Sequence, residues 1–522
     1  MAKRSIFRAF IASVAGTGFS RVVGLFRELA IARVLGASTA SDAFFMAFTI
    51  PSMFRRFVAD EGLTGALVPL VADAEEKDGA EMARKLAGRT VTALIGLGLL
   101  IAIAAIPLAP WLVDLFAPGF RAEPEKFALT VRLTRVMMPF VMFVSLVSWC
   151  EGMLNHRDHF FIPKIAPGVV SAVIIAAAFW PAGGEPQRVA QALSWGVLAG
   201  GAAHLLICLP PLYRHWGFIR PRFDWWAGPR FRILAREMGK VAAIGLMAQV
   251  NVVVLRSLAS HLGTGAVSWY WNATRLVDFT QGVVAVGVGS AVLPALAEAV
   301  ARSDWGRLSD AFARAVRLAG ALLMPAAVFV ALLATPFVAL LYRQGAYTWT
   351  DVQQTALTLQ LLVPYMLGLA GIQIVKKPFF ALNRRNSLVA VGALGVALTW
   401  GLGAWLAPLY GVAGLALALS ASTCGQLAAY LVLLRRVTAG RLALAPLGAP
   451  LLRMLLAALP AGLLAWGLCR LGAWEQGFTI RNAALLAAAG GLGGLLYLGV
   501  AWRLGVPEVQ EVYRRVVGRF RR

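Results

Sequence analysis

Four arginines stand where a chain of this kind can least afford charge. Arg21 and Arg27 lie in "FSRVVGLFRELA" at 19–30, Arg55 and its neighbour Arg56 in "FTIPSMFRRF", and Arg275 in "SWYWNATRLVDF". All interrupt long apolar runs. A guanidinium is permanently charged and presents a planar fork of donors that meets carboxylate or phosphate oxygens two at a time. Several forks at graded depth suit an anion with many acceptor oxygens, whereas a pore for small anions needs only a narrow ring of charge. Each arginine costs about 2.5–3.5 kcal/mol at the bilayer centre on the insertion scale, so four imply on the order of 10 kcal/mol, and lipid-facing positions are excluded.

Two explanations stay open at this level. The acids Glu28, Asp42, Asp60, Glu61 and Asp278 could pair with individual arginines, or the arginines could line a water-filled cationic cavity. The cavity is favoured because they fall in corresponding regions of two halves of the chain, at several depths, and because Arg55–Arg56 sets like charges side by side. Arg21, Arg27, Arg55 and Arg275 would then bind substrate, with Ser20, Glu28, Asp42, Ser52, Arg56, Asp60 and Asp278 in support. No catalytic residue, metal or cofactor is expected.

The elements that hold these groups follow from composition. The chain has 522 residues, 59% apolar and 14% charged, with a mean hydropathy of +0.72. This predicts an all-α polytopic membrane protein. The basic, apolar N-terminus lacks an A-x-A site before a polar region, so it reads as the first span and not as a signal peptide. About 20 residues cross the hydrocarbon. Polar and Pro/Gly-rich breaks divide the chain into fourteen candidate spans: 6–35, 40–72, 88–116, 126–155, 160–181, 188–212, 238–261, 266–300, 312–342, 350–382, 387–408, 411–434, 450–472 and 480–504.

Of 49 Lys and Arg, the loops and tails on the side of the termini hold 34, the opposite loops seven, and eight lie within spans. The positive-inside rule therefore predicts cytoplasmic termini and explains the +24 net charge without nucleic acid. An internal similarity recurs at a period of about 225 residues: "ALVPLVADAEEKDGAEMARKL" (66–86) resembles "AVLPALAEAVARSDWGRLSDA" (291–311), Gly119 corresponds to Gly345, and Pro139 to Pro364. Two parallel six-helix repeats follow, with two further C-terminal helices: lobes at 1–228 and 229–440, then 441–522 with a basic tail. Parallel repeats belong to transporters whose site lies between the halves. Cys150, Cys208, Cys424 and Cys469 form neither a metal spacing nor a disulfide framework. His156 and His159 cluster in "LNHRDHFF", which reads as a solvated loop.

Taken whole, "GFSRVVGLFRELAIARVLGASTASDAFFMAFTIPSMFRRFVADEGLTGALVPLVADA", "APGF" at 117–120, "LNHRDHFFIP" at 154–163 and "WNATRLVDFTQGVVAVGVGSAVLPALAEA" at 271–299 closely resemble the MurJ (MviN) lipid II flippases of the multidrug/oligosaccharidyl-lipid/polysaccharide exporter superfamily. The resemblance implies a fourteen-helix protein of the bacterial cytoplasmic membrane. It would turn lipid II, the undecaprenyl-pyrophosphate-linked peptidoglycan precursor, from inner to outer leaflet, among membrane lipids and other cell-wall synthesis proteins. It also implies that Arg21, Arg27, Arg55 and Arg275 are the required arginines, and that spans thirteen and fourteen form a groove for the lipid tail. Ser52 stands where the family usually has Asn, and "FVADEGL" departs from "FAEGA", leaving the alignment of Asp60 and Glu61 open. Some relatives bind sodium through acids in spans seven and eleven; "VAAIGLMAQVNVVVL" and "SLVAVGALGVALTW" contain none, so transport without sodium is expected. The alternatives are a flippase for another polyprenyl-pyrophosphate-linked oligosaccharide and a membrane-embedded enzyme acting on polyprenyl phosphates.

Overall fold

The computed structural model describes residues 2–55, 62–159, 161–180, 184–224, 229–281, 304–382, 384–438, 440–441 and 447–511. These residues are helical almost throughout and include no strand. Among them, eight helices are long and apolar enough to cross a membrane, or nine if the bent pair Trp349–Leu361 and Val363–Phe379 is one span. The fourteen expected spans are therefore not all counted. The one expected at 266–300 is described only as far as residue 281, and that at 40–72 only in two pieces.

The 53-residue helix α15 (Arg385–Val437) is roughly 80 Å long at 1.5 Å per residue, more than twice the hydrocarbon thickness. It breaks at Gly411, whose φ of 58° and ψ of −136° are non-helical. The positive φ is one that glycine adopts without a Cβ clash, and the kink falls at the first residue of the span expected at 411–434, just after the one at 387–408.

The chain forms two compact units, Met1–Ser268 and Trp269–Arg522. In the first, α1 (Ala2–Leu35) rests on α7 (Phe161–Ile165) and α8 (Pro167–Phe179). Helix α2 (Thr39–Arg55) packs on α5 (Pro124–Met137) and α9 (Pro186–Trp216). Helices α3 (Gly62–Asp78), α4 (Ala80–Phe116), α6 (Phe140–His156) and α10 (Pro229–Ser260) surround a core that includes Leu67, Trp149, Met153 and Trp216. After α11 (266–281), the second unit packs α12 (Trp305–Tyr342), α13 (Trp349–Leu361) and α14 (Val363–Ala381) with α15. Helices α16 (Gly448–Cys469) and α17 (Ile480–Arg503) pair with each other and lie against α12.

Hydrocarbon gives helices no hydrophobic reason to associate, so close packing of small residues has to hold them. Along α4 the buried face runs through Ala83, Ala87, Gly98, Ala102, Ala105 and Ala109, while Leu100, Ile103 and Trp111 on the other face are more than 60% exposed. That apolar outer face is one that lipid covers. Between α8 and α9 the approach is closer still: a Cβ on Gly196 would meet the Ala177 Cβ at 2.5 Å, and one on Gly200 the Val170 Cγ1 at 3.1 Å.

The 225-residue repeat is visible as side-chain geometry. Pro110 in α4 lacks the N–H that would bond the Ile106 carbonyl, and Arg135 Nε donates to that oxygen at 2.9 Å. At the same offset, Gln360 Nε2 donates to the Ala331 carbonyl of α12 at 2.8 Å. Pro139 begins α6 after a break from α5, and Pro364 stands just beyond the break between α13 and α14. Each half thus carries a proline at a break between two helices and the same cross-helix bond to a carbonyl.

Enlarging Gly196 to Leu should overpack α8 against α9 at a cost of about 1–3 kcal/mol. The thermal unfolding midpoint in detergent should fall by several degrees, while Gly401→Leu, where a Cβ meets nothing within 4 Å, should leave it nearly unchanged.

Candidate functional site

Arg21 is exposed near the middle of α1 and forms no ion pair among the described residues. Arg27 lies six residues on, about 9 Å along the helix and roughly 120° around it. It is half-buried, paired with the adjacent, almost fully buried Glu28, and its guanidinium stands 5.8 Å from the Phe48 ring centroid. The carboxylate nearest Arg21 on the same face, Glu28, is about 10 Å away along α1 and is already engaged by Arg27. Ser20 does not hold an arginine: its hydroxyl donates to the Lys164 carbonyl at 2.5 Å and ties α1 to α7.

Arg55 ends α2, with its backbone described and its side chain not; Arg56, Asp60 and Glu61 lie outside the described residues. Ser52 is half-buried one turn earlier. In the second unit, Arg275 on α11 faces Asp278 at 3.5 Å and stacks over the Trp271 ring at 4.3 Å from its centroid. Asp278 remains more than half exposed, so the pair is open to water.

Asp42 plays a different part. It is fully buried at the start of α2, where it accepts from Gly265 N at 2.8 Å, Ser268 N at 2.9 Å and Ser268 Oγ at 2.6 Å, and pairs with Lys126 Nζ at 3.2 Å. Lys126 is 1% exposed, over the Phe120 ring at 4.5 Å and 3.3 Å from Glu123. Lys126 is not among the site residues expected from sequence. Its signal lay in the repeat, which sets Lys126 opposite Asp351 at an offset of 225 residues. Asp351, also buried, accepts from Trp269 Nε1 at 2.9 Å. Each half therefore ties the start of one helix to a residue near the turn that follows its long fourth or twelfth helix, with the polarity of the partners exchanged.

A match to known proteins decides the family. The family model for lipid II flippase MurJ matches residues 31–485. The chain belongs to the MurJ lipid II flippase family. The lipid II flippase MurJ of Burkholderia cenocepacia is 32% identical over 429 residues, covering 80% of this chain and 82% of that one. A probable lipid II flippase MurJ of Vibrio cholerae is 28% identical over 531 residues, covering 97% of each. In fold, the chain is similar to a solved lipid II flippase MurJ in an inward closed conformation, with a TM-score of 0.76, 20% identity, and coverage of 97% of this chain and 99% of that one. An inward-facing MATE-family multidrug transporter of the MOP superfamily gives a TM-score of 0.65 at 15% identity, covering 83% of this chain and all of the other. MurJ is a transporter family, which sets aside the membrane-embedded enzyme considered from sequence.

Removing one partner of a buried pair leaves the other charge unpaired, at a cost of about 3–5 kcal/mol. Asp42→Asn and Lys126→Met should each lower the thermal midpoint in detergent markedly, and the double variant should recover part of the loss. Additive losses would show that the two groups do not act as a pair.

Proposed function

We propose that this MurJ protein translocates lipid II across the bacterial cytoplasmic membrane by binding its pyrophosphate with Arg21, Arg27, Arg55 and Arg275. The observation that carries the assignment is Arg21: an exposed guanidinium in the middle of an apolar helix, unmatched by any carboxylate among the described residues. A permanent charge so placed is stable only where water or an anionic ligand reaches it. Arg27 and Arg275, each beside an acid and an aromatic ring, are held in place by those neighbours.

The two repeats would alternate access around this site, with both termini cytoplasmic, as the loop charges imply. The prenyl tail would stay in lipid beside α16 and α17. An apolar cavity of about 520 Å³ between α12 and α17, lined by Leu318, Leu322, Phe329, Tyr497 and Leu498, supports that division of labour. The headgroup then crosses within protein and the tail need not.

A charge-assisted contact is worth about 1.5–3 kcal/mol, which corresponds to roughly ten- to hundredfold in rate or affinity. In proteoliposomes, Arg21→Ala should lose headgroup translocation by that factor while inserting and folding normally. Arg21→Lys should recover only part, because it keeps the charge and loses the fork. Since Glu28 pairs with Arg27, adding Glu28→Gln to Arg21→Ala should not rescue transport. Rescue would remove Arg21 from the substrate site. Competition by other polyprenyl-pyrophosphate glycolipids against lipid II distinguishes the second superfamily reading.

Spans seven and eleven lack acids, so sodium should not be the coupling ion. Headgroup translocation should persist when sodium is replaced by potassium at constant membrane potential. A strict sodium requirement would overturn this.

A further inference from the structure

At one end of the first unit, the termini of α3, α6 and α9 bring together histidines that substrate binding does not use. His156 Nε2 lies 2.7 Å from Glu75, and Arg157 donates to the same carboxylate at 2.7 Å while stacking over Trp216 at 4.4 Å. The His156 imidazole, with the Arg157 guanidinium, holds the Glu75 carboxyl below its ordinary range. These charges are therefore satisfied among themselves. The adjacent pair is not so committed. His159, in the turn between α6 and α7, and His215, in the last turn of α9, bring their Nε2 atoms within 3.1 Å of each other, with the rings tilted and their centroids 4.0 Å apart. Asp158 at positive φ, 59°, turns the chain at this point.

We propose that His159 and His215 form a two-histidine site for a divalent transition-metal ion, one that bridges the α6–α7 turn to the end of α9. At metal–nitrogen distances of about 2.0–2.1 Å, two nitrogens 3.1 Å apart subtend roughly 95–102° at the ion, between square and tetrahedral geometry. Imidazole nitrogens suit Cu2+, Ni2+ and Zn2+ and not the hard, oxygen-seeking Ca2+ or Mg2+. Binding exchanges the hydrogen bond between the rings for two metal bonds, with each remaining proton carried on Nδ1. Among the described residues no group of three or more His, Cys, Asp or Glu converges on one point, so water completes the coordination. The site is open and exchangeable, unlike a caged structural ion.

The bridge has a mechanical consequence. The turn it fixes leads into α7, whose Lys164 carbonyl holds Ser20 of α1, and a Cβ on Gly16 would meet the Lys164 Cβ at 2.9 Å. A metal-bridged turn therefore restrains the support of the helix that carries Arg21 and Arg27. Slowed transport on metal binding rests on the flippase reading; the metal site itself does not.

Titrating untagged, purified protein with Cu2+ tests the site by electron paramagnetic resonance. One ion per chain should show hyperfine coupling to two nitrogens. His159→Gln and His215→Gln should each remove one coupled nitrogen and weaken binding at least tenfold, with metal-free thermal midpoints confirming that both variants fold. His261→Gln should retain the full signal. A two-nitrogen signal that persists in the His159→Gln/His215→Gln double variant, or its absence from the wild type, would overturn the proposal.

Discussion

The constraint on which this structure turns is that hydrocarbon offers no hydrogen bonds. Every polar group carried below the headgroups must find its partner within the protein. Pro110 shows the requirement at its smallest scale. The proline strips one carbonyl of α4 of its donor, and Arg135, from the next long helix pair, reaches over to replace it. An arginine that looks anomalous in the sequence is the repair of a proline. Gln360 makes the corresponding bond in the second unit without a charge, so the position calls for a long donor and not for a cation.

The same constraint explains Asp42 and Lys126. A buried ion pair gains little over an apolar replacement, because desolvation offsets most of the attraction. Its value lies in direction. Asp42 accepts from two backbone N–H groups and a hydroxyl at 263–268 while it meets Lys126, so it fixes the start of α2 against α5 and against the turn after α10. An apolar cluster of the same volume would pack there without specifying the register. Around these fixed points, glycine and alanine faces let helices approach closely, and the bulky residues are left for the lipid side.

Helix positions were legible because a run of about 20 apolar residues has few other uses. The break at Gly411 lies at the start of the span expected at 411–434, and α16 and α17 coincide with the last two to within a few residues. The repeat was legible through prolines and glycines, which mark helix breaks and turns at corresponding places in both halves. Partners were less so. Glu28 is next to Arg27 in sequence and shares a helical face with Arg21, and the side-chain geometry pairs it with Arg27. The burial of Lys126 has no local signal, because it depends on which distant turn covers the residue, here the one ending at Ser268. His215 lies 56 residues from His159, and no local pattern announces their meeting.

The uneven treatment of the arginines has a physical logic for a transporter. A guanidinium already saturated by carboxylates has neither charge nor donors to offer, and an anion would have to displace its partners. One left wholly bare in a narrow site would hold a pyrophosphate too tightly to release it. On the proposed reading, Arg21 in the open and Arg27 and Arg275 each beside an acid would stand between these extremes. On that reading the first contact would cost no displaced partner, and contacts with Arg27 or Arg275 would be made by exchange with Glu28 or Asp278. Movement of a multiply charged headgroup through a low-dielectric protein requires such exchange at every depth, because binding strong enough to draw it in must be matched by competitors that let it go.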